Sequence, residues 1–171
     1  KSFSLDINDI DHIGINFDIN FHLYNFFFNN EFPISKDIEQ RKRIEKLLNL
    51  KNQIREKLSF KGNIFEHNHH LCHLRAAQHQ SEFKEAILLS IDGMGEINTS
   101  SSAIYCQNKI KNYCETDKFP NSLGLIYAAI TNYLGWKYCC DEGIVMGLAC
   151  YGDDEKFKND KNLTFKDFFT Q

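Results

Sequence analysis

The spacing of apolar and polar residues along the chain predicts short β-strands interspersed with α-helices. Strands are predicted at residues 13–17, 63–65, 86–91, 101–106 and 109–115. Helical spacing predicts helices over residues 36–59, 69–79 and 122–134, the last with Gly135 as its C-cap. The aromatic-rich residues 21–28 fit either a helix or a strand. This mixture of strands and helices predicts the α/β or α+β class.

The most apolar of the predicted strands, AILLSI at residues 86–91, should be buried, and it leads into the glycine-containing turn DGMGE. Two interpretations of this turn stay open. In the first, Gly93 and Gly95 supply the positive φ angles of a hairpin turn. In the second, their missing side chains let backbone N–H groups come close to a phosphate or an adenylate.

The composition is that of an ordinary folded domain. Hydrophobic residues make up 42% and charged residues 25% of the 171 residues, which excludes a disordered chain. No apolar run reaches the about 18 residues of a membrane-spanning helix, so we expect a cytoplasmic protein without a membrane partner. The net charge is −3, and we therefore expect no nucleic-acid partner. The basic stretch 36–57 is interpreted as the solvated face of an amphipathic helix, although it would also suit an anionic surface.

Candidate metal ligands are concentrated in one short stretch, since five of the seven histidines fall within residues 67–79. His69 and His73 are four residues apart, so a helix would place both imidazoles on one face, as in helical zinc sites. Asp92, at the end of the most apolar strand, is the strongest candidate for a third ligand. Such a set leaves coordination positions open for a substrate, although histidines four apart also occur as ordinary surface residues. The six cysteines show no CxxC pair and are expected to be free thiols.

Four sequence blocks, in order along the chain, resemble those of one known family. They are EHNHHLCH at residues 66–73, AILLSIDGMGE at 86–96, FPNSLGLIYAAITNYLGW at 119–136 and DEGIVMGLACYG at 141–152. The family's versions contain the patterns HHxxH, TIDGxGE, FPxSLGxxYxxxTxxLG and ExKVMGLAxYG. On these blocks the chain resembles the carbamoyltransferases that include nodulation-type proteins and antibiotic O-carbamoyltransferases.

The resemblance implies a fold, a metal and a reaction. The implied fold is that of an N-terminal domain with the actin-like ATPase (ribonuclease H-like) architecture, in which a mixed sheet is flanked by helices. The metal is divalent, Fe²⁺ with Zn²⁺ as the alternative, and its ligands are His69, His73 and Asp92. The family makes a carbamoyladenylate from carbamoyl phosphate and ATP and transfers the carbamoyl group to a small-molecule hydroxyl, so the metal would polarise the carbamoyl carbonyl. The residues expected near the adenylate or the carbamoyl group are Gly93, Gly95, Ser122 and Gly124.

The resemblance also implies that residues 1–171 are an internal piece of that domain. The family's phosphate-binding loop would precede Lys1, and a fourth metal ligand and the adenylate-forming domain would follow Gln171. The chain departs from the family's blocks with LRAAQHQ at 74–80 and with Ile144 in place of a lysine. These departures leave open a non-catalytic remnant of the same fold that binds a metal or a partner. A relative of the tRNA threonylcarbamoyltransferases is a further alternative.

Overall fold

The computed structural model of the chain describes residues 6–27 and 38–152. Its helices are α1 (Ile19–Phe27), α2 (Ile38–Leu48), α3 (Leu50–Leu58), α4 (His69–Gln80), α5 (Leu123–Tyr133) and α6 (Glu142–Leu148). Its strands are β1 (His12–Ile15), β2 (Asn63–Glu66), β3 (Ala86–Ile91), β4 (Asn98–Cys106) and β5 (Lys109–Lys118). The class is therefore mixed α/β, as the sequence predicts, but the expectation of one mixed sheet is wrong for the described strands, which form one parallel and one antiparallel sheet.

The chain divides into two compact units, the first ending at Leu125 and the second beginning at Ile126. The first unit contains all the strands named above and helices α1 to α4. The second unit contains most of α5 and all of α6. All seven residues expected at the metal and ligand sites belong to the first unit.

The described strands form two small sheets. In the first sheet β1 and β2 are parallel, with Ile15 opposite Glu66. Parallel pairing brings the carboxyl ends of both strands to one edge, so the residues after β1 lie beside the start of α4. The second sheet is antiparallel, in the order β3-β4-β5. Its hairpin from β3 to β4 contains the DGMGE turn, with Ile91 opposite Ser100.

The hydrophobic core of the first unit lies between α4 and the antiparallel sheet. Its buried members are Leu74, Leu88, Ala103 and Tyr105. On α4 the two buried residues, His70 and Leu74, are one turn apart and form the stripe that faces the sheet. Because His69 and His73 are each one residue earlier along the helix, they form the neighbouring stripe, at the edge of the sheet where β3 ends.

Most of the predicted elements are confirmed, and one long helix is corrected. β3 matches its predicted bounds, and residues 21–27 belong to a helix rather than a strand. The helix predicted over 36–59 is wrong in its continuity, because Asn49 (φ −92°, ψ 1°) separates α2 from α3. The Asn49 side chain makes no capping hydrogen bond, and asparagine suits an interruption here because its helix propensity is lower than that of the neighbouring leucines. The predicted start of this helix at residue 36 lies outside the described residues.

The prediction that β3 is buried is correct for one of its faces only. Leu88 and Ser90 are buried, whereas Ile87, Leu89 and Ile91 are 76%, 65% and 60% exposed. Successive side chains of a strand point to opposite faces of the sheet. Within the described ranges α4 packs on one of these faces, and the face with Ile87 is open.

Two expectations drawn from composition can be compared with the described residues. All six cysteines are free thiols, as predicted. None of the helices in residues 6–27 and 38–152 has the length and apolar character that crossing a bilayer requires.

Candidate metal centre

Two histidines and an aspartate meet where α4 begins and β3 ends. Nε2 of His69 lies 2.7 Å from Oδ2 of Asp92 and 3.0 Å from Nε2 of His73. Nε2 of His73 lies 3.3 Å from the same Oδ2 atom. One ligand atom from each residue can be chosen so that all three lie within 4.8 Å of one another. The structure therefore brings together the three residues that the sequence singled out as metal ligands.

Helix α4 presents its two histidines from its first two turns. Asn68 is the N-cap, and its side-chain oxygen accepts the backbone N–H of Leu71 at 2.8 Å. The cap fixes where the helix starts, so His69 is the first helical residue and His73 lies one turn later. The His69 side chain is 18% exposed and that of His73 is 50% exposed, so the centre opens to solvent on the His73 side.

Asp92 reaches the histidines because it directly follows β3. Its Oδ1 accepts the backbone N–H of Gly93 at 2.6 Å, which leaves Oδ2 directed at the two imidazoles. Burial alone would raise the pKa of Asp92. When the two imidazoles are protonated, the hydrogen bond from Nε2–H of His69, the hydrogen bond from the Gly93 N–H and the positive charge of both histidines outweigh burial and lower this pKa below its ordinary value. Asp92 is therefore held as a carboxylate, the form that binds metals.

The ring of His69 is oriented by a backbone carbonyl. Its Nδ1 lies 3.0 Å from the main-chain oxygen of Asn16, in the segment that follows β1. A carbonyl oxygen can only accept a hydrogen bond, so Nδ1 carries the proton. In the neutral ring, Nε2 then bears the lone pair, and this lone pair is directed at Asp92 and His73.

This donor set fits a metal ion. A neutral His69 in this tautomer turns its Nε2 lone pair toward a carboxylate oxygen 2.7 Å away, and two lone pairs at that distance repel one another. A cation between them removes the repulsion, either as a second proton on His69 or as a metal ion bound by all three residues. Two imidazole nitrogens and one carboxylate oxygen are the ligands of iron and catalytic zinc sites that keep open positions.

His70, between the two ligand histidines, has a structural role. It is completely buried, with Nδ1 at 2.8 Å from the Ser90 hydroxyl and Nε2 at 2.8 Å from the carbonyl of Asn98. Because the Asn98 carbonyl only accepts, Nε2 donates to it, and the neutral Nδ1 accepts from the serine hydroxyl. Both ring nitrogens are therefore committed to the sheet, and His70 is not part of the centre.

The four residues expected near an adenylate are close together. The Ser122 hydroxyl lies 3.0 Å from the carbonyl oxygen of Asp92 and 2.7 Å from that of Gly93, and it accepts the N–H of Leu125 at 3.1 Å. A Cβ on Gly124 would lie 2.5 Å from the amide nitrogen of Gly93. The start of α5 is thus docked on the turn that carries Asp92.

The turn itself uses its glycines for close approach. Neither Gly93 nor Gly95 has a positive φ angle, so the interpretation that they supply such angles to a hairpin turn is wrong. A Cβ on Gly95 would lie 3.1 Å from the Cβ of His69 and 3.0 Å from the ring of His70. Gly93, by contrast, has nothing within 4 Å of the position a Cβ would take, so space is open beside its backbone.

Sequence reasoning did not identify two residues that support the centre. Asn16 contributes a main-chain oxygen, which no side-chain pattern can reveal. Glu96 is completely buried, and its Oε1 accepts the backbone N–H of His69 at 2.9 Å. The available signal for Glu96 was its position, since it is a charged residue between the apolar strand β3 and the next strand, β4.

The comparison with protein families covers most of the chain. Residues 26–167 match the sequence model of a family described as carbamoyltransferase N-terminus. The matched range contains His69, His73 and Asp92, together with the turn and the start of α5 that surround them.

Curated relatives share part of the chain. Nodulation protein NolNO of Sinorhizobium fredii is 38% identical over 89 residues, which are 50% of this chain and 12% of the relative. Nodulation protein NolO of Bradyrhizobium diazoefficiens is 37% identical over 93 residues, 53% of this chain and 16% of the relative. An uncharacterised protein of Methanocaldococcus jannaschii is 34% identical over 129 residues, 75% of this chain and 23% of the relative. The chain thus spans less than a quarter of the length of each of these three relatives.

Proposed function

The chain belongs to the carbamoyltransferase N-terminal family, and from this premise we propose that it is part of an O-carbamoyltransferase. The reaction we propose transfers a carbamoyl group from a carbamoyladenylate to the hydroxyl of a small molecule. The carbamoyladenylate is made from carbamoyl phosphate and ATP. The fold proposed for the complete domain is the actin-like ATPase fold.

The observation that carries this proposal is the convergence of His69, His73 and Asp92 on one point. Two histidines four positions apart on a helix and an aspartate 19 and 23 positions away, at the end of a strand, supply the three ligand atoms. The neighbouring stripe of the same helix, with His70, is buried against the sheet instead. The divalent metal that we propose is Fe²⁺, with Zn²⁺ as the alternative. When bound, this metal supplies Lewis acidity toward the carbamoyl carbonyl.

The residues of the chain have separate tasks in this proposal. His69 and His73 provide neutral imidazole nitrogens, and Asp92 provides a carboxylate that is ionised at neutral pH. Asn16 keeps the proton of His69 on Nδ1, away from the metal. A cation held by these residues would stabilise negative charge that develops on the carbamoyl oxygen.

The turn after Asp92 is the proposed place for the adenylate or the carbamoyl group. The open space beside Gly93 allows a ligand to reach the backbone there. Gly95 and Gly124 allow the turn to approach α4 and the first residues of α5, and the Ser122 hydroxyl lies within hydrogen-bond distance of the Gly93 carbonyl. We propose no nucleic-acid or membrane partner, in keeping with the net charge of −3.

The test of this function is turnover by the full-length protein loaded with Fe²⁺. Water cleaves carbamoyl phosphate to carbamate and inorganic phosphate, and the carbamate oxygen then displaces pyrophosphate from ATP to form the adenylate. The expected result is therefore pyrophosphate release that requires both ATP and carbamoyl phosphate. In a second assay, carbon-labelled carbamoyl phosphate should label a hydroxyl-bearing acceptor, and His73→Ala should abolish this transfer. A metal-loaded wild-type protein without carbamoyl-phosphate-dependent turnover would support the non-catalytic remnant instead.

A further inference from the structure

Glu96 joins two chain segments that converge on His69. Its side chain is completely buried, which is rare for a carboxylate that lacks partners. Its Oε1 accepts the backbone N–H of Asp18 at 2.7 Å and that of His69 at 2.9 Å. The main-chain oxygen of Glu96 in turn accepts the Nδ1–H of His22, from α1, at 2.5 Å. Both its side chain and its backbone are therefore held by other parts of the first unit.

The two hydrogen bonds to Oε1 both constrain His69, one through its own backbone and the other through the segment that orients its ring. The bond from His69 fixes the backbone of the first residue of α4, where helical N–H groups lack partners within the helix. The bond from Asp18 fixes the segment that contains Asn16, whose carbonyl accepts the ring N–H of His69. One oxygen atom thus holds both the backbone of His69 and the group that orients its ring.

The turn that carries Glu96 is packed directly on this histidine. A Cβ on Gly95, the residue before Glu96, would lie closer to both His69 and His70 than ordinary van der Waals contact. Asp92 stands at the other end of the same short turn. A shift of the Glu96 side chain would therefore displace His69 relative to Asp92.

We propose that Glu96 is a positioning residue of the metal centre. By accepting the N–H groups of Asp18 and His69, it keeps the Nε2 lone pair of His69 directed at Asp92 and His73. This role rests on the proposed metal site, and it is the role of a hydrogen-bond acceptor rather than of a charge. Among the described residues, the second oxygen, Oε2, has no hydrogen-bond partner, so Oε1 carries the two contacts.

The experiment is Co²⁺ titration of the full chain, with the affinity and the visible d–d spectrum as readouts. Glu96→Gln keeps an acceptor oxygen at the same reach and removes the charge. Glu96→Asp keeps the charge but is one methylene too short, and Glu96→Met fills the volume without an acceptor. Glu66→Gln is the matched control. Its carboxylate accepts the N–H of Ile19, the first residue of α1, at 3.0 Å, just as Glu96 accepts the N–H of the preceding residue, Asp18. Far-ultraviolet circular dichroism checks that each protein is folded.

We expect Glu96→Gln and Glu66→Gln to bind Co²⁺ within about threefold of wild type and with the wild-type spectrum. Glu96→Asp and Glu96→Met should bind Co²⁺ about 10–100-fold more weakly, with an altered d–d spectrum. If only one of these two variants folds, that one decides the outcome. Wild-type affinity in the short or apolar variant, or an equal loss in Glu96→Gln, overturns the positioning role. If the wild type itself binds no Co²⁺, the metal site is refuted and the role of Glu96 with it.

Discussion

Gly124 and Gly93 are packed so closely that a β-carbon on Gly124 would lie 2.5 Å from the amide nitrogen and 2.7 Å from the Cα of Gly93. The same carbon would lie 2.8 Å from the carbonyl carbon of Asp92. These are backbone atoms, which cannot move aside as a flexible side chain can. The position of Asp92, the proposed metal ligand, therefore depends on the absence of a side chain 32 residues further along the chain.

Gly124→Ala should weaken metal binding by displacing Asp92, and should lower the free energy of unfolding by about 1–3 kcal/mol through overpacking. Gly143→Ala is the control, because nothing lies within 4 Å of the position its Cβ would take and helices favour alanine over glycine. Urea denaturation and Co²⁺ titration measure the two effects. Equal stability and affinity in both variants would contradict the close approach.

Ser122→Ala should destabilise the start of α5. The hydroxyl that is removed donates to the carbonyls of Asp92 and Gly93 and accepts the N–H of Leu125. We expect the free energy of unfolding to fall by about 2 kcal/mol. Ser100, which is half-buried and whose hydroxyl donates to Asp117 in a solvent-exposed hydrogen bond, is the control and should lose less than about 0.5 kcal/mol as Ser100→Ala. Urea denaturation of both variants would show whether Ser122 has this structural role.

His73→Ala should abolish stoichiometric binding of Fe²⁺ or Co²⁺, since only His69 and Asp92 would remain of the three described ligands. His79→Ala is the control, on the exposed surface of the last turn of the same helix. Metal content after gel filtration, measured by mass spectrometry, compares His73→Ala with His79→Ala, which should keep its metal. An unchanged metal content in His73→Ala would rule out this site.

His70→Ala should lower the free energy of unfolding by about 3 kcal/mol, because it leaves a cavity and removes the partners of Ser90 and Asn98. The ligand atoms of His69, His73 and Asp92 are untouched by this change. Folded His70→Ala protein, selected at low temperature, should therefore still bind one Co²⁺. Loss of binding without loss of stability would instead make His70 a ligand.

Cys72 should react slowly with iodoacetamide at neutral pH. Burial, and secondarily the negative charge of Glu96, raise the pKa of its thiol, so a smaller fraction is thiolate at a given pH. Its alkylation should accelerate only at more alkaline pH, whereas the exposed Cys139 serves as the accessible reference. Peptide mass spectrometry over a series of pH values measures both rates. Equal rates at pH 7 would be inconsistent with the raised pKa.

Local patterns were sufficient for the elements that form the centre. The apolar run of β3 predicts its bounds, and the i, i+4 spacing of His69 and His73 predicts that their rings share a face. Asp92 follows from its place at the end of that strand. These inferences succeed because each depends on residues within a few positions of one another.

Contacts distant in sequence could not be predicted in the same way. The interruption at Asn49 lies within a continuous amphipathic pattern, so periodicity does not reveal it. The pairing of β1 with β2 and the packing of Gly124 on Gly93 depend on how distant segments meet. Asn16 acts through its main chain, which every residue possesses, so its identity carries no signal.

The hydrogen bond between Asp18 and Glu96 joins residues 78 positions apart, and this separation bears on the order of folding. Closing so long a loop costs more chain entropy than forming α4 or the β3–β4 hairpin. We therefore expect the orienting contacts of His69 to form after the transition state, when the histidine pair is already helical. A metal bound by the completed centre should then slow unfolding rather than speed folding. The metal-bound centre would thus lower the unfolding rate of a domain that has already folded.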